Sequence, residues 1–270
     1  MRRAALALLA CALGCPAPGG GSASGPAPTA RDALDLAKAR GKLVVAMNAS
    51  YDPFEVMGPD GQPVGFDVDL ARAIAKDLGV ELELRNVKWD GIIGVLRTGK
   101  ADAIISGMSV TPERAEAVAF STPYFQVGQV VVKRKGDERF RSYRDLDSPD
   151  VTVAVEQSTT GEQACKKMLP RAKLLRFEKV TEACVAVRQK KADAVVFDNA
   201  MLLKYVSQKA KDELEGLWEP FTSEDIAVAV RKDSPKLLAA VNQTLARLRA
   251  SGELDALIVE HFGEAAAQRK

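Results

Sequence analysis

One run of residues occurs twice in the chain, and this repeat constrains the fold more than any other feature of the sequence. Residues 97–105 read RTGKADAII and residues 188–196, 91 positions later, read RQKKADAVV. The apolar positions that precede both runs are spaced for one face of a helix. Two similar strands, at 43–48 and 151–156, open the two halves. The sequence therefore predicts two halves with the same architecture.

Each half reads as strand, helix, strand, helix, strand, an order that predicts right-handed βαβ units and a mostly parallel sheet. In an open α/β sheet, ligands bind outside the carboxyl ends of the strands. Polar and aromatic residues stand at these ends, at positions 48–51, 89, 106–109, 156–161 and 198. Two sheets that face each other by those ends would enclose a small polar ligand in a cleft.

Composition excludes several classes of protein. The 270 residues are 47 % hydrophobic, which is enough to bury a core, and no apolar run approaches the ~20 residues that span a bilayer. Without Arg2 and Arg3, which we expect to be removed, 36 basic residues balance 36 acidic ones. This balance offers no basic surface for nucleic acid. The single histidine, His261, disfavours a histidine-rich metal site, and we expect neither a metal nor a cofactor.

The N-terminus is typical of an exported protein. A basic start and an apolar stretch too short to span a bilayer predict a signal peptide over residues 1–14. Residues 12–15, ALGC, resemble a bacterial lipobox, in which Cys15 becomes the lipidated first residue. Lipidation of Cys11 and simple cleavage of the signal are the alternatives. Residues 15–31 are then the anchor cysteine and a flexible tether of small residues and proline, which places the body in the periplasmic or extracytoplasmic space.

Residues 65–79, GFDVDLARAIAKDLG, predict an amphipathic helix, because apolar residues recur every four positions from Leu70 to Leu78. We interpret Asp67 and Asp69 as acids that cap the start of this helix. Two metal-ligating carboxylates are the alternative interpretation.

This helix resembles the signature of the bacterial extracellular solute-binding proteins of family 3, the polar amino-acid receptors of ABC importers. The resemblance extends over residues 32–263 and includes, in order, SGMSVTPER at 106–114, FSTPYF at 120–125, STTG at 158–161, VFDN at 196–199, SGELD at 251–255 and HFG at 261–263.

The resemblance implies a two-lobed periplasmic-binding-protein type II fold. Each lobe would be a mostly parallel open sheet flanked by helices, and two crossing strands would form the hinge. Lobe 1 would comprise residues 32–128 and 225–263, lobe 2 would comprise 129–224, and 264–270 would be a tail.

The resemblance also implies which residues hold the backbone of a free amino acid. The donors to its carboxylate would be Arg114, Ser109, Thr159 and Thr160. Arginine suits this role because its guanidinium meets a carboxylate bidentately. Asp198 and the carbonyl of Ser106 would accept the ammonium group. A surface ion pair for Arg114 and a helix cap for Asp198 are the alternatives.

Five further positions would surround the ligand side chain: Asn48, Tyr51, Trp89, Met108 and Glu156. Core packing is the alternative for the two aromatic residues. Relatives that take basic amino acids often have an acid where Asn48 stands, but Glu156 supplies one nearby. Because these positions hold no lysine or arginine, we expect a basic or neutral polar amino acid rather than glutamate or aspartate.

The implied function is a non-enzymatic, monomeric receptor that closes on an amino acid and delivers it to an inner-membrane permease with its ATPase. A cyclohexadienyl-dehydratase-like enzyme is the alternative, with Glu156 as the proton donor. The presence of both Arg114 and Asp198 favours a whole amino acid over a deaminated substrate. A ligand-sensing domain is a third interpretation.

Cys165 and Cys184 lie on apolar faces of successive helices in the second half. In a sheet of order 2-1-3 those helices cover opposite faces, which would keep the two sulfur atoms apart. We therefore expect two free, buried thiols.

Overall fold

Two five-stranded sheets organise the chain, which a computed structural model describes from residue 31 to residue 264. The predicted signal peptide, Cys11, Cys15, nearly all of the tether and the tail after Glu264 lie outside the described residues. The strands are β1 Lys42–Met47, β2 Ser50–Tyr51, β3 Glu55–Met57, β4 Pro63–Val64, β5 Glu81–Asn86, β6 Ala103–Ile104, β7 Ala119–Phe120, β8 Phe125–Val127, β9 Gln129–Arg134, β10 Thr152–Glu156, β11 Lys173–Phe177, β12 Ala194–Asp198, β13 Leu214–Leu217, β14 Glu224–Ile226 and β15 Ala229–Val230. The helices are α1 Ala33–Arg40, α2 Phe66–Leu78, α3 Ile92–Arg97, α4 Pro112–Ala117, α5 Thr160–Met168, α6 Val180–Arg188, α7 Asn199–Tyr205, α8 Pro235–Ser251 and α9 Glu253–Phe262.

The first sheet has the order β5-β1-β6-β15-β7, and the second has the order β11-β10-β12-β9-β13. In both, the first three strands are parallel and have the order 2-1-3, as the repeat predicts. The registers also correspond: Val45 pairs with Ala103 in the first sheet, and Val153 pairs with Ala194 in the second. Val153 lies 108 positions after Val45, and Ala194 lies 91 positions after Ala103, which are the two offsets of the sequence repeat.

The two sheets are joined by a pair of antiparallel strands. Strand β8 leads the chain from the first sheet into β9 of the second, and β14 leads it back to β15. Strands β8 and β14 pair from Phe125↔Ile226 to Val127↔Glu224. The fold is therefore two-lobed, with the two crossing strands that the resemblance implies. We call the segments around the first and second sheets the first and second lobes; their boundaries in residue numbers stay a prediction.

Both cysteines of the second lobe are buried free thiols. Cys165 packs with Val153 on one face of the second sheet, and Cys184 packs with Ala154 on the other. Successive residues of a strand point to opposite faces, so the sheet separates the two sulfur atoms. The expectation of two free thiols is confirmed.

Helix α2 begins differently from our interpretation. Its N-cap is Gly65, and no side chain caps the helix. A Cβ atom at Gly65 would lie 2.4 Å from the carbonyl oxygen of Phe54, so the tight approach of the chain requires glycine here. Asp67 is fully buried and accepts a hydrogen bond from the N–H of Gly107. Asp69 instead pairs with Arg72 and with His261.

The metal interpretation finds no support between residues 31 and 264, where no group of His, Cys, Asp and Glu side chains could hold a metal ion. Within the same range, no helix is long and apolar enough to cross a membrane.

Candidate functional site

A cavity lies between the carboxyl ends of the strands of the two sheets, and the space between its walls, with the part open to solvent, is about 370 Å³. Its lining residues are Asn48, Tyr51, Glu55, Trp89, Ser106, Gly107, Ser109, Arg114, Glu156, Thr159, Thr160, Phe197 and Asp198. All but one of the residues predicted to bind the ligand are among them. Topology accounts for this, because every predicted segment follows a strand of one of the two parallel sets.

Met108 is the exception: contrary to our expectation, it does not line this cavity. Its side chain is fully buried in the core of the first lobe, in a cluster that includes Ile92 and Leu96. Its neighbours Gly107 and Ser109 line the cavity. Burial of the apolar thioether side chain removes it from water, so this one residue of the loop turns away from the cavity.

Arg114 is a buried cation, with 7 % of the residue exposed. Its Nη1 donates to the carbonyl of Ser109 at 2.8 Å, and its Nη2 donates to the carbonyl of Ser158 in the second lobe at 3.4 Å. The guanidinium lies 5.1 Å from the centre of the Trp89 ring. Among residues 31–264 it forms no ion pair, so a surface ion pair does not explain it. Burial lowers the pKa of Arg114, and the charge of Asp198 opposes this shift.

Asp198 ends β12 and is 5 % exposed. It occupies the N-cap position of α7, but its side chain makes no capping hydrogen bond. Its carboxyl group instead accepts hydrogen bonds from the Tyr51 hydroxyl and from the side-chain amide of Gln129. Burial raises the pKa of Asp198 to about 7, and the charge of Glu224 adds to this shift. The two hydrogen bonds and the charge of Arg114 oppose it.

The loop before α5 presents a helix N-terminus to the cavity. Thr159 is the N-cap: its hydroxyl accepts from the N–H of Glu162 at 3.2 Å and donates to the carbonyl of Glu156 at 2.7 Å. The Glu162 carboxylate accepts in turn from the N–H of Ser158 at 2.8 Å. This reciprocal capping fixes the loop, and the positive end of the helix favours an anion there. Thr160 follows as the first residue of the helix.

Ser106 is fully buried and connects the strand ends of the first lobe. Its hydroxyl donates to the carboxyl group of Glu55 at 2.6 Å and accepts from the N–H of Asn48 at 2.9 Å. The side-chain amide of Asn48 donates to the carbonyl of Val87 at 2.8 Å. Asn48 therefore stabilises the strand ends in addition to lining the cavity.

Glu156 ends β10 and is 5 % exposed. Burial raises the pKa of its carboxyl group to about 8, although a hydrogen bond from the N–H of Val180, at 2.8 Å, lowers it. The charge of Asp198 raises it further. The second lobe therefore contributes two weakly acidic carboxyl groups to one cavity.

Four residues at or behind the cavity had no individual role in the sequence interpretation: Glu55, Gly107, Phe197 and Gln129. Phe197 directly precedes Asp198, and Gln129 is a polar residue at the start of the apolar run QVVV, so both carried a local signal. Gly107 has φ +46°, and a Cβ atom there would lie 2.2 Å from the Tyr51 ring. Only the fold shows this contact.

Comparison with known proteins agrees with this geometry. The model of the bacterial extracellular solute-binding proteins, family 3, matches residues 43–264. The chain is 34 % identical to the "Probable histidine-binding protein" of Neisseria gonorrhoeae over 242 residues, which are 88 % of this chain and 90 % of that protein.

Two solved structures are similar as well. One is the ancestral amino acid-binding protein AncCDT-1, a precursor of cyclohexadienyl dehydratase, with a TM-score of 0.80 and 41 % identity over 86 % of this chain and 100 % of that one. The other is a binding component of an ABC transporter from Wolinella succinogenes DSM 1740, complexed with lysine. Its TM-score is 0.79 and its identity 38 %, over 83 % of this chain and 96 % of that one. The chain belongs to the bacterial extracellular solute-binding proteins, family 3.

Proposed function

We propose that this chain captures a free amino acid between its lobes and delivers it to an ABC permease and its ATPase. One observation carries the proposal: the buried guanidinium of Arg114 and the buried carboxyl group of Asp198 face the same cavity from different lobes. A buried charge is costly unless it is paired. The carboxylate and the ammonium of an α-amino acid supply the two missing partners on one small molecule.

The charges of the cavity favour a basic amino acid, with a neutral polar one as the second choice. Arg114 is the only cation among the lining residues, which include the acids Glu55, Glu156 and Asp198. The zwitterionic part of the ligand uses Arg114 and Asp198. Glu156 is then left to pair with a cationic side chain, because it is the other second-lobe acid of the cavity. The lysine complex of the similar Wolinella protein supports this choice.

Closure would follow from contacts that the ligand makes with both lobes. Protein groups of the two lobes already meet at this point: the indole N–H of Trp89 donates to the carbonyl of Ser158 at 3.1 Å, and Arg114 reaches the same carbonyl. A ligand shifts a conformational equilibrium only through its different affinities for the two states. An amino acid held by Arg114 and by the Ser158–Gly161 loop favours the closed state for that reason.

A dehydratase remains the second candidate. The chain is similar to a precursor of cyclohexadienyl dehydratase, and Glu156, with a pKa of about 8, carries a proton at neutral pH. Such an enzyme needs a substrate without the amino group. Asp198 argues against it, since this buried acid has a role in binding an ammonium group.

We place the protein outside the cytoplasm, held to a membrane surface through lipid on Cys15, and acting as a monomer. Mass spectrometry of the membrane fraction tests the anchor. A lipid modification that is lost in Cys15→Ser and kept in Cys11→Ser supports it, and an unmodified membrane-free wild type contradicts it.

A thermal-shift screen against the twenty amino acids and prephenate tests the function. We expect lysine or arginine to raise the midpoint of unfolding most, and Arg114→Ala to abolish the rise. The exposed Arg97→Ala in the same lobe is the matched control. Stabilisation by prephenate alone, with turnover, would establish the enzyme instead.

A further inference from the structure

Two carboxyl groups are buried together at the wall of the cavity, outside the set that we expect to bind the ligand. Glu55 in β3 and Asp67 in α2 each have 0 % exposure. Neither forms an ion pair with a basic side chain among the described residues. Oε2 of Glu55 and Oδ1 of Asp67 accept no hydrogen bond from an N–H or a hydroxyl group. The two carboxyl groups lie close enough for each to affect the pKa of the other.

The remaining oxygens of this pair hold one turn of the cavity wall. Oε1 of Glu55 accepts from the hydroxyl of Ser106 at 2.6 Å. Oδ2 of Asp67 accepts from the N–H of Gly107 at 2.6 Å and from the hydroxyl of Tyr124 at 3.0 Å. The turn at Ser106 and Gly107 is thus fixed from behind by two acids, one for each residue.

Two ionised carboxylates in contact and out of water would repel each other without any cation to compensate. One proton between them removes the repulsion and turns the contact into a strong hydrogen bond. Burial raises the pKa of Glu55, and the charge of Asp67 raises it further. Burial also raises the pKa of Asp67, to about 6. The pair therefore retains a proton, and we assign it to Glu55, whose pKa burial raises well above its usual value.

The other titratable groups that face the pair do not replace this proton. Tyr51 and Tyr124 keep their own protons, because burial raises the pKa of both hydroxyl groups well above 10. Glu156, once ionised, is negative and raises the pKa of Glu55. His261 lowers the pKa of Asp67 through its charge, but its Nε2 atom contacts Oδ2 of Asp69 at 2.8 Å and not the carboxyl pair.

We propose that Glu55 and Asp67 share one proton, and that this pair positions the Ser106–Gly107 turn for the ammonium group of the ligand. Glu55 and Asp67 are positioning residues, since they act through Ser106 and Gly107. The second half of the proposal rests on the proposed amino-acid function; the first half does not. The tests below separate the two.

The shared proton is tested on the ligand-free full chain by the pH dependence of thermal unfolding. Glutamine at position 55 keeps a donor for Asp67 and an acceptor for Ser106, but it cannot lose a proton. In the wild type, the folded state holds the Glu55 proton above pH 4.5, where the unfolded chain releases it. Stability therefore falls as pH rises from that value towards the folded pKa. We expect the midpoint of the wild type to fall relative to that of Glu55→Gln between pH 5 and pH 9.

Glu81→Gln, which changes an exposed acid of the same lobe, should leave the pH dependence of the wild type unchanged. Parallel curves for the wild type and Glu55→Gln would overturn the shared proton. A rise of the wild type relative to Glu55→Gln with pH would overturn it as well, because it would show an ionised Glu55.

The positioning role is tested with two variants and two measurements. Hydrogen exchange at the Gly107 N–H should stay slow in Glu55→Gln and become faster in Glu55→Ala. Affinity for lysine should stay within about threefold in Glu55→Gln and fall at least about tenfold in Glu55→Ala. Full affinity in a folded Glu55→Ala, or its loss in Glu55→Gln, would overturn the positioning role. If the wild type binds none of the twenty amino acids, the proposed function fails, and the unfolding curves still decide the shared proton.

Discussion

The hydroxyl of Tyr51 in the first lobe donates a hydrogen bond to the carboxyl group of Asp198 in the second. This bond joins the lobes at the atom group that we assign to the ligand ammonium. A carboxylate has about four lone-pair positions, so Asp198 can accept from Tyr51, Gln129 and a ligand at once. The Tyr51 ring is held by Phe54, at 4.6 Å between centroids, and by Phe197 of the second lobe, at 5.4 Å. Tyr51 therefore connects ligand recognition with the contact between lobes.

Tyr51→Phe removes this donor and little else. The hydrogen bond lowers the pKa of Asp198, so its loss should raise that pKa and leave less carboxylate for the ligand at neutral pH. We expect affinity for lysine to fall about 3- to 30-fold at pH 7, in line with a hydrogen bond to a charged group. The loss should be smaller at pH 8.5. Tyr143→Phe, in the second lobe outside the cavity, is the control; equal losses at both pH values would contradict this mechanism.

Arg114→Ala should lower the affinity for the amino acid by at least about 30-fold, because it removes one partner of a buried, hydrogen-bonded charge pair. Arg114→Lys should recover little of this affinity, because an ammonium group cannot meet a carboxylate bidentately or stack on Trp89 as a guanidinium does. Calorimetry measures both, with Arg97→Ala as the control. Wild-type affinity in a folded Arg114→Ala would remove this residue from the carboxylate site.

Much of the fold follows from the sequence because its evidence is local. The repeated runs contain the apolar strands and their helices, so two mostly parallel sheets and their 2-1-3 strand order could be predicted. The ends of parallel strands then located most residues of the cavity. The place of Met108 in the core, outside the cavity, could not be predicted, because the direction of one side chain in a loop depends on space in the core.

The interpretation of Asp67 failed for a related reason. An acid in the first turn of a helix suits the helix dipole, so the sequence offered no reason to expect a long-range hydrogen bond to Asp67. In sequence, the N–H of Gly107 lies 40 residues from Asp67, and the hydroxyl of Ser106 lies 51 residues from Glu55. Only the folded chain brings these groups together, so no spacing rule could have found them.

Binding of a basic amino acid should release protons near neutral pH. Burial raises the pKa values of Glu156 and Asp198 to about 8 and about 7, so both are substantially protonated at pH 6. The ligand cations favour the ionised forms, and affinity should therefore rise from pH 6 to pH 8.5, by up to about tenfold per pH unit for each proton released. Calorimetry at pH 7 in buffers with different ionisation enthalpies counts the protons.

In the ligand-free chain the effect of pH is opposite, because stability falls as pH rises. The same raised pKa values contribute stability below about pH 4, which is lost as pH rises through 7 and 8. Glu156→Gln should remove part of the proton release that accompanies binding. It should also lower the affinity for lysine more than the affinity for glutamine. Glu138→Gln, which changes an exposed acid of the second lobe, should change neither. Equal effects of Glu156→Gln on lysine and glutamine would exclude Glu156 as the partner of a cationic side chain.

Ligand-driven closure is the property that separates a receptor from a static domain. We expect the amino acid to contact the first lobe through Arg114 and the second through Asp198, so saturation should favour the closed state by hinge motion about β8 and β14. Small-angle scattering should show a smaller radius of gyration with lysine than without it. Trp218→Phe leaves Trp89 as the only tryptophan, and its fluorescence reports the contact with Ser158. Asp198→Ala should weaken both binding and this signal although it leaves Arg114 intact. Confirmed binding without compaction, and without a change at Trp89, would contradict capture by closure.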